Sequence, residues 1–395
     1  MARHLLVTND FPPKTGGIQV YLYELWRRLE PGRAVVLTAS SHADASTFDA
    51  ADHGVTVERV TSSTLYLPTR RALRAIEAAI ERHQPDLVLL DPVWPLGVLG
   101  PRLSRPYGVV LHGAEVTIPA RLPLISSSLR YVLERAAVVV CAGSYPEAEA
   151  KRAARSRLGP VLLVPPGVDP TRFVPLDARE RRAARRELDC GDEDFLIVSY
   201  SRLVPRKGMD TLIRAAAALA ARAPHLRVVI AGAGRDRARL ARLAARLAAP
   251  VTFLGRTSDE MHPRFIGASD LMVLDCRSRW FGLEQEGFGI VFLEAAACAV
   301  AQVAGRSGGS SDAVENGVTG LVVDSPRRVG DLVAAIEDVM NDDVRRREFG
   351  SRGRQLVESR FAWDILATQL SHGLAAFDHF NVSTPPTYGG VEEAE

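Results

Sequence analysis

Short apolar runs of strand length alternate with helical periodicities along this chain, stop once, and then resume. In the first series His4–Thr8, Ala34–Ala39, Val55–Val60, Leu87–Leu90, Tyr107–Leu111, Ala137–Ala142 and Val161–Val164 read as strands. Between them lie helical patterns such as Gly17–Leu29, where Ile18, Leu22, Leu25 and Leu29 fall on one stripe. A charged, proline-punctuated segment from about Pro170 to Glu193 breaks the rhythm. The second series has strands at Phe195–Tyr200, Leu226–Ala231, Val251–Leu254, Leu271–Asp275, Gln302–Ala304 and Gly320–Val323, and three helices close it near 328–340, 344–360 and 363–377. Apolar strands in β-α repeats require a parallel sheet covered on both faces. Two such series in 395 residues are more than one core holds comfortably.

The expected fold class is therefore α/β, with two Rossmann-like domains facing across a cleft. The expected division is an N-terminal Rossmann-like domain over 1–169, a linker over 170–193 and a C-terminal Rossmann-like domain over 194–360. A closing helix over 361–380 could cross back to the first domain, and a polar tail over 381–395 is expected to be disordered. Ligands of such sheets bind beyond the carboxyl ends of the strands, so loops of both domains should line the cleft.

No run approaches the ~20 apolar residues of a membrane span, and the N-terminus enters a strand without a signal-peptide pattern. The four cysteines show no C-x-x-C spacing, which fits reduced thiols and a cytoplasmic setting. The net charge of +2 is unevenly placed, with the basic surplus in the first half. Many of those arginines fall between Lys151 and Arg186, where a solvated linker face is expected.

The central motif is EGFGIVFLEAAACAVAQVAGRSGG, Glu286 to Gly309. Glu286 and Glu294 stand eight positions apart, and eight helical residues rise roughly 12 Å, too far to share one proton or one small ligand. Gly287, Phe288 and Gly289 permit a tight turn, and Ile290 and Val291 would open a helix whose first N–H groups have no intrahelical partner. Such a terminus favours an anion. A long ligand fits, with a sugar at one carboxylate, a diphosphate at the helix start and a ribose at the other.

Other motifs agree in placement. Asn9 to Gly17 (NDFPPKTGG) is a strand-to-helix turn in which Gly16 and Gly17 let backbone approach an anion. Arg202 and Lys207, in RLVPRKG after the first strand of the second series, offer two cations for a phosphate. His112 ends a strand of the first series and is placed to meet a sugar hydroxyl or the reacting group. Gly232 and Gly234 are read as a loop lining the same cleft. The fingerprint G-x-G-x-x-G is incomplete there, which disfavours a dehydrogenase. No metal is expected: the only D-x-D, at Asp192 to Asp194, precedes a strand and so lies at the wrong end. There is also no H-E-x-x-H.

With these residues in place the chain resembles the retaining nucleotide-sugar glycosyltransferases of family 4, which have the two-domain GT-B fold. The matching pieces are Gly16-Gly17, His112-Gly113, Arg202 with Lys207-Gly208, Glu286-x7-Glu294 and Ser307-Gly308-Gly309, in the family's order over roughly residues 1–380. Within that family TNDFPPKTGGIQVYL, RLVPRKG, RWFGLEQEGFGIVFLEA and GRSGG are similar to the GDP-mannose-dependent phosphatidyl-myo-inositol mannosyltransferases, above all those acting on the monomannoside. The resemblance implies GDP-mannose as co-substrate, with no cofactor or metal. It implies that Gly16, Gly17 and the backbone of Gly287 to Val291 hold the diphosphate and that Arg202 and Lys207 neutralise it. Glu286 would contact mannose, Glu294 the ribose, and His112 the donor sugar. Arg256 and Thr257 are candidates for the base side, and Asp10 and Gln19 for the inositol acceptor.

One departure stands out. The family runs Gly-x-Pro-Val after the position of Cys298, and here stands Ala299-Val300-Ala301-Gln302-Val303. The missing glycine would end the helix in a left-handed cap.

An inositol glycolipid acceptor implies contact with an anionic membrane surface and peripheral attachment to the inner face of the plasma membrane, without nucleic acid as a partner. Leu122, Ile125, Leu129 and Leu133, with Arg121 and Arg130 nearby, form a helical stripe that could lie on that surface. Alternatives on the same fold are a hexosyltransferase using a UDP-sugar, a nucleotide-sugar 2-epimerase and a non-catalytic nucleotide-sugar-binding protein.

Overall fold

Two parallel sheets organise the computed structural model, which describes residues 2–40, 42–61, 64–155 and 157–378. The first contains β1 (His4–Thr8), β2 (Ala34–Ala39), β3 (Thr56–Val60), β4 (Leu87–Asp91), β5 (Tyr107–Leu111), β6 (Val139–Cys141) and β7 (Val161–Leu163) in the order β3-β2-β1-β4-β5-β6-β7. The second contains β8 (Phe195–Tyr200), β9 (Leu226–Ala231), β10 (Val251–Gly255), β11 (Leu271–Leu274), β12 (Ala301–Gly305) and β13 (Gly320–Val323) in the order β10-β9-β8-β11-β12-β13. Each order reverses once, between β1 and β4 and between β8 and β11, and the crevice at that reversal is where such folds bind ligands.

Period-two burial explains the doubly covered first sheet. Leu5 and Val7 enter one buried cluster while Leu6 enters another, and Val88 and Leu90 alternate with Leu87 and Leu89 in the same way. The helix Trp363–Leu374 supplies Trp363, Leu366, Leu370 and Leu374 to the cluster around Tyr21, Leu22 and Trp26. The chain's last described helix thus covers a face of the first sheet. Its return path crosses the outgoing chain: Val168 N–H donates to Phe361 O at 2.9 Å and Trp363 N–H to Val168 O at 3.3 Å. The tail over 381–395 lies outside the described residues.

The segment over 170–193 is more ordered than a solvated connection. It holds the helix Ala178–Glu187, started by a capping box between Asp177 and Glu180. Arg185 is buried, donating to Ala268 O at 3.1 Å and Gly191 O at 2.8 Å and pairing with Asp270 at 3.1 Å. Three satisfied donors allow a guanidinium there, which the charge pattern alone did not reveal.

The membrane stripe is also rearranged. Leu129 and Leu133 of the helix Pro123–Leu133 are fully buried in the first domain, so half of that stripe is core. The apolar side chains left outside are Ile118, Leu122, Leu124 and Tyr131.

Ala299 adopts φ 55° just after the helix Ile290–Ala297. A left-handed alanine costs roughly 1–2 kcal/mol, partly offset because glycine loses more entropy on folding. Ala299→Gly should therefore raise the unfolding free energy by about 0.5–1 kcal/mol, read as a higher urea midpoint at unchanged slope.

Candidate active site

The carboxyl edge of the first sheet carries a chain of side chains across its reversal point. Register pairs Thr8 with Asp91 across β1 and β4. Thr8 Oγ1 donates to Asp91 Oδ2 at 2.5 Å, and Asp91 Oδ1 lies 3.0 Å from His112 Nε2. A carboxylate only accepts, so Nε2 carries the proton and Nδ1 is left for another partner. Burial alone would lower the His112 pKa, but the charge and hydrogen bond of Asp91 outweigh it and hold it above the ordinary value. Tyr21 packs its ring edge-on to the imidazole at 5.3 Å. Glu115 accepts the N–H groups of His112 and Gly113.

Beside this row, Asp10 N–H donates to Thr8 Oγ1 at 2.9 Å and Gln19 Nε2 donates to Asp10 Oδ1 at 2.7 Å. Burial and then the neighbouring Asp91 raise the Asp10 pKa. The two residues singled out for the acceptor thus touch each other. Gly16 stands at the start of the helix Gly17–Trp26.

In the second domain the turn Pro205–Lys207 follows β8 and ends at Gly208, with φ 69°. A side chain at Gly208 would strike the carbonyl of Asp275, so glycine is needed for both φ and space. The turn sends Lys207 inward. Its Nζ lies 2.8 Å from Glu286 Oε2, both residues being 7% exposed. Arg206 Nε lies 4.0 Å from the same oxygen, and Cys276 Sγ donates to it at 3.4 Å. Burial would raise the Glu286 pKa, but Lys207 and Arg206 overcome it and hold the carboxyl below its ordinary value. The Cys276 thiol is pushed up by burial and by the Glu286 charge, so it remains a donor.

Ser307-Gly308-Gly309 supports the backbone of Glu286. Glu286 N–H donates to Ser307 Oγ at 3.2 Å and Gly309 N–H to Glu286 O at 3.0 Å. A side chain at Gly308 or Gly309 would collide with the carbonyls of Glu286 and Gly287. Gly289, at φ 94°, then turns the chain into the helix Ile290–Ala297, with Phe288 buried behind it. Glu286 therefore lies outside the helix that carries Glu294.

The two domains meet here. A β-carbon built on Gly17 would lie 3.8 Å from Ile290 Cδ1, and one on Gly287 would lie 3.1 Å from His112 O. Two helix starts, Gly17 and Ile290, thus come together from opposite domains. Ser144 N–H donates to Asp312 Oδ2 at 2.8 Å and Gln285 Nε2 to Tyr145 OH at 3.2 Å.

Arg202 is exposed at the end of β8, and the cation beside Lys207 and Glu286 is Arg206, because the 3-10 turn carries residues 206 and 207 to that side together. Glu294 is part-buried, 3.0 Å from His262 Nε2, and the His262 ring is packed edge-on by Tyr200 at 3.9 Å. Val291 is half-buried at the helix start, Arg256 is exposed and Thr257 half-buried after β10. Gly232 and Gly234 abut the carbonyls of Ser201 and Leu203, so they pack one cleft loop against another. Among the described residues no group of three His, Cys, Asp or Glu could hold a metal ion.

Sequence reasoning missed Asp91, Arg206, Cys276 and His262. Asp91 had a signal, an acid ending an apolar strand; His262 had none.

The family model described as Glycosyltransferase Family 4 matches residues 15–172, and that described as Glycosyl transferases group 1 matches 180–356. A GDP-mannose-dependent alpha-(1-6)-phosphatidylinositol monomannoside mannosyltransferase of Mycobacterium tuberculosis is 36% identical over 390 residues, covering 96% of this chain and 99% of that one. A GDP-mannose-dependent monoacylated alpha-(1-6)-phosphatidylinositol monomannoside mannosyltransferase of Corynebacterium glutamicum is 34% identical over 374 residues, covering 93% and 96%. Among solved structures, Anabaena HepE in complex with UDP superposes with TM-score 0.80 at 21% identity, covering 95% of this chain and 100% of that one. That likeness shows the shared fold.

Removing one partner of a buried ion pair strands the other charge, at about 3–5 kcal/mol. Lys207→Met should lower unfolding free energy by about 3 kcal/mol. Adding Glu286→Gln should restore much of it in urea titrations, a non-additivity that two independent surface residues would not show.

Asp275 supplies a pH test. Burial pushes its carboxyl from 3.8 up to about 8, against the opposing pull of Thr211 and Arg277. Between those values the folded state binds a proton that the unfolded state does not, so this group lowers stability as pH rises. Asp275→Asn should gain on the parent by up to about 1.4 kcal/mol per pH unit over that window, seen by comparing urea unfolding at pH 5 and pH 7.5.

Proposed function

Because the chain belongs to the family 4 glycosyltransferases, carrying a family 4 N-terminal half and a group 1 C-terminal half, we propose that it moves an α-mannosyl group from GDP-mannose to a phosphatidylinositol mannoside and retains the anomeric configuration. The observation that carries this reading is the meeting of two helix starts, Gly17 and Ile290, beside the buried Lys207–Glu286 pair. Helix N-termini from two lobes and a lysine favour a diphosphate, and a carboxylate fixed through one oxygen keeps the other for sugar hydroxyls.

In the proposed reaction the bond from mannose C1 to the diphosphate oxygen breaks while the acceptor hydroxyl bonds to C1 on the same face. The hydroxyl proton passes to the departing diphosphate, and GDP leaves. Lys207, with Arg202 from the same loop, offsets the charge that builds on the leaving group, so that no metal ion is required. His112, oriented by Asp91, presents Nδ1 to the donor sugar. Asp10 and Gln19 receive the inositol. Glu294, held by His262, receives the ribose, and Arg256 and Thr257 lie on the base side. No helix among the described residues is long and apolar enough to cross a membrane. We place the protein at the cytoplasmic face of an anionic membrane, where the lipid acceptor resides.

Labelled GDP-mannose should transfer mannose to phosphatidylinositol monomannoside and not to phosphatidylinositol, with activity surviving EDTA. Lys207→Ala should lower kcat about 10²–10³-fold at saturating donor. Turnover with UDP-sugars instead, or donor conversion without acceptor, would replace this reading with a different hexosyltransferase or an epimerase.

A further inference from the structure

Immediately before Gln285, which touches Tyr145 of the first domain, the chain makes a tight excursion with no counterpart in the proposed chemistry. Arg279 and Glu284 pair as an antiparallel bridge, their side chains joined by an ion pair of 2.7 Å. Between them Trp280 and Phe281 have φ of 49° and 54°, followed by Gly282 at 82°. Two successive non-glycine residues in the left-handed region are strained, and such strain persists only where the surroundings enforce it. Here the Arg279–Glu284 clasp does so, with Gln285 Nε2 donating to Gly282 O at 2.9 Å. What the strain achieves is exposure: Phe281 is wholly outside and Trp280 is 65% exposed.

The hairpin is not isolated. Arg121 of the first domain donates to Gly282 O at 3.3 Å. The residues flanking Arg121 are the exposed apolar ones: Ile118, Leu122 and Leu124. Aromatic and aliphatic side chains from both domains therefore sit at one rim, with Arg121 between them and Arg279 over the Trp280 ring at 5.2 Å. Tryptophan edged by arginine suits the boundary between lipid headgroups and acyl chains. The hairpin also leads within two residues to Glu286, so whatever docks on it arrives next to the proposed sugar site.

We propose that the Trp280–Phe281 hairpin is a membrane anchor that inserts at the headgroup–acyl boundary together with Leu122 and Leu124, so that the cleft mouth rests on the bilayer that supplies the acceptor. This rests on the lipid-acceptor reading above but adds a docking surface that spans both domains. Leu129 and Leu133, the buried half of the stripe, take no part in it.

The test uses the full chain and intrinsic fluorescence. Trp280 is the most exposed of the four tryptophans; Trp26 and Trp363 are buried and Trp94 is half-buried. Vesicles of phosphatidylcholine and phosphatidylinositol with brominated acyl chains, free of donor and acceptor, should quench the parent, and Trp280→Phe should lose that quenching. Phe281→Ser should weaken vesicle binding about tenfold or more, the scale of one aromatic side chain kept in water. It should lower kcat/KM on acceptor in vesicles while leaving transfer to a deacylated, water-soluble acceptor unchanged. Unquenched Trp280 in the parent, or Phe281→Ser equal to the parent on vesicle-borne acceptor, overturns the anchor. So does a concentration-dependent dimer that Phe281→Ser dissolves, which would make the hairpin a protein contact. Because quenching is read without any sugar donor, loss of the mannosyl-transfer reading would not by itself alter it.

Discussion

The Lys207–Glu286 ion pair is the interaction on which the second domain's site depends. Two opposite charges at 2.8 Å and 7% exposure have each lost most of their water, and that loss is offset only when geometry and further hydrogen bonds are good. The sequence meets this demand from three separate segments. The turn after β8 delivers Lys207, the residue after Asp275 delivers the Cys276 thiol, and Ser307 accepts the Glu286 N–H. Each segment is brought near by a glycine whose missing side chain allows backbone contact: Gly208 against Asp275, Gly305 against Cys276, and Gly308 against Glu286. The pair thus fixes the backbone that leads into the helix Ile290–Ala297, and the direction of its first amides follows.

The first domain solves the equivalent problem without a lysine or an arginine. Its reversal point holds a threonine, an aspartate and a histidine in one row, and the raised His112 pKa shows that Asp91 favours the charged imidazole. The sign matters for stability. A histidine raised by its partner stabilises fully below the unfolded value near 6.5 and loses that contribution as pH rises through its folded value. Glu286 behaves oppositely, stabilising above its unfolded value near 4.5 and losing the contribution as pH falls through its lowered one. The two halves of the cleft therefore lose their electrostatic support in opposite pH directions, and both keep it between about 4.5 and 6.5.

Sheet identity was legible because buried parallel strands have to be apolar and short, and β1, β8 and β13 begin and end where the apolar runs do. The glycine motifs were legible for a related reason, since only close backbone approach or positive φ demands glycine at Gly208, Gly289 and Gly308. Side-chain direction was not legible. Arg202 and Arg206 are equally basic and four positions apart, and only the 3-10 turn decides which one lies beside Glu286. Arg185 looks like surface in a run of arginines until Ala268, Gly191 and Asp270 are brought to it by folding. The stripe through Leu129 and Leu133 illustrates the limit of periodicity, which finds an apolar face without saying whether protein or lipid covers it.

How the domains are held follows from where their contacts lie. The two chain crossings run side by side, with Val168 bonded to both Phe361 and Trp363 and Gly167 lying against the Phe361 carbonyl. This crossing adjoins core, because Trp363 and Phe361 are buried on either side of it. At the cleft, by contrast, polar bonds link the domains: Ser144 N–H and Oγ to the two Asp312 carboxylate oxygens, Gln285 to Tyr145, and Arg121 to Gly282. A neutral bond of this kind contributes about 1 kcal/mol net and one with a charged partner about 1.5–3 kcal/mol, since water competes for each. The domains are thus joined firmly at one end and lightly at the other. A diphosphate between Gly17 and Ile290 would accept from both lobes at once and add charge-assisted bonds to the links already there.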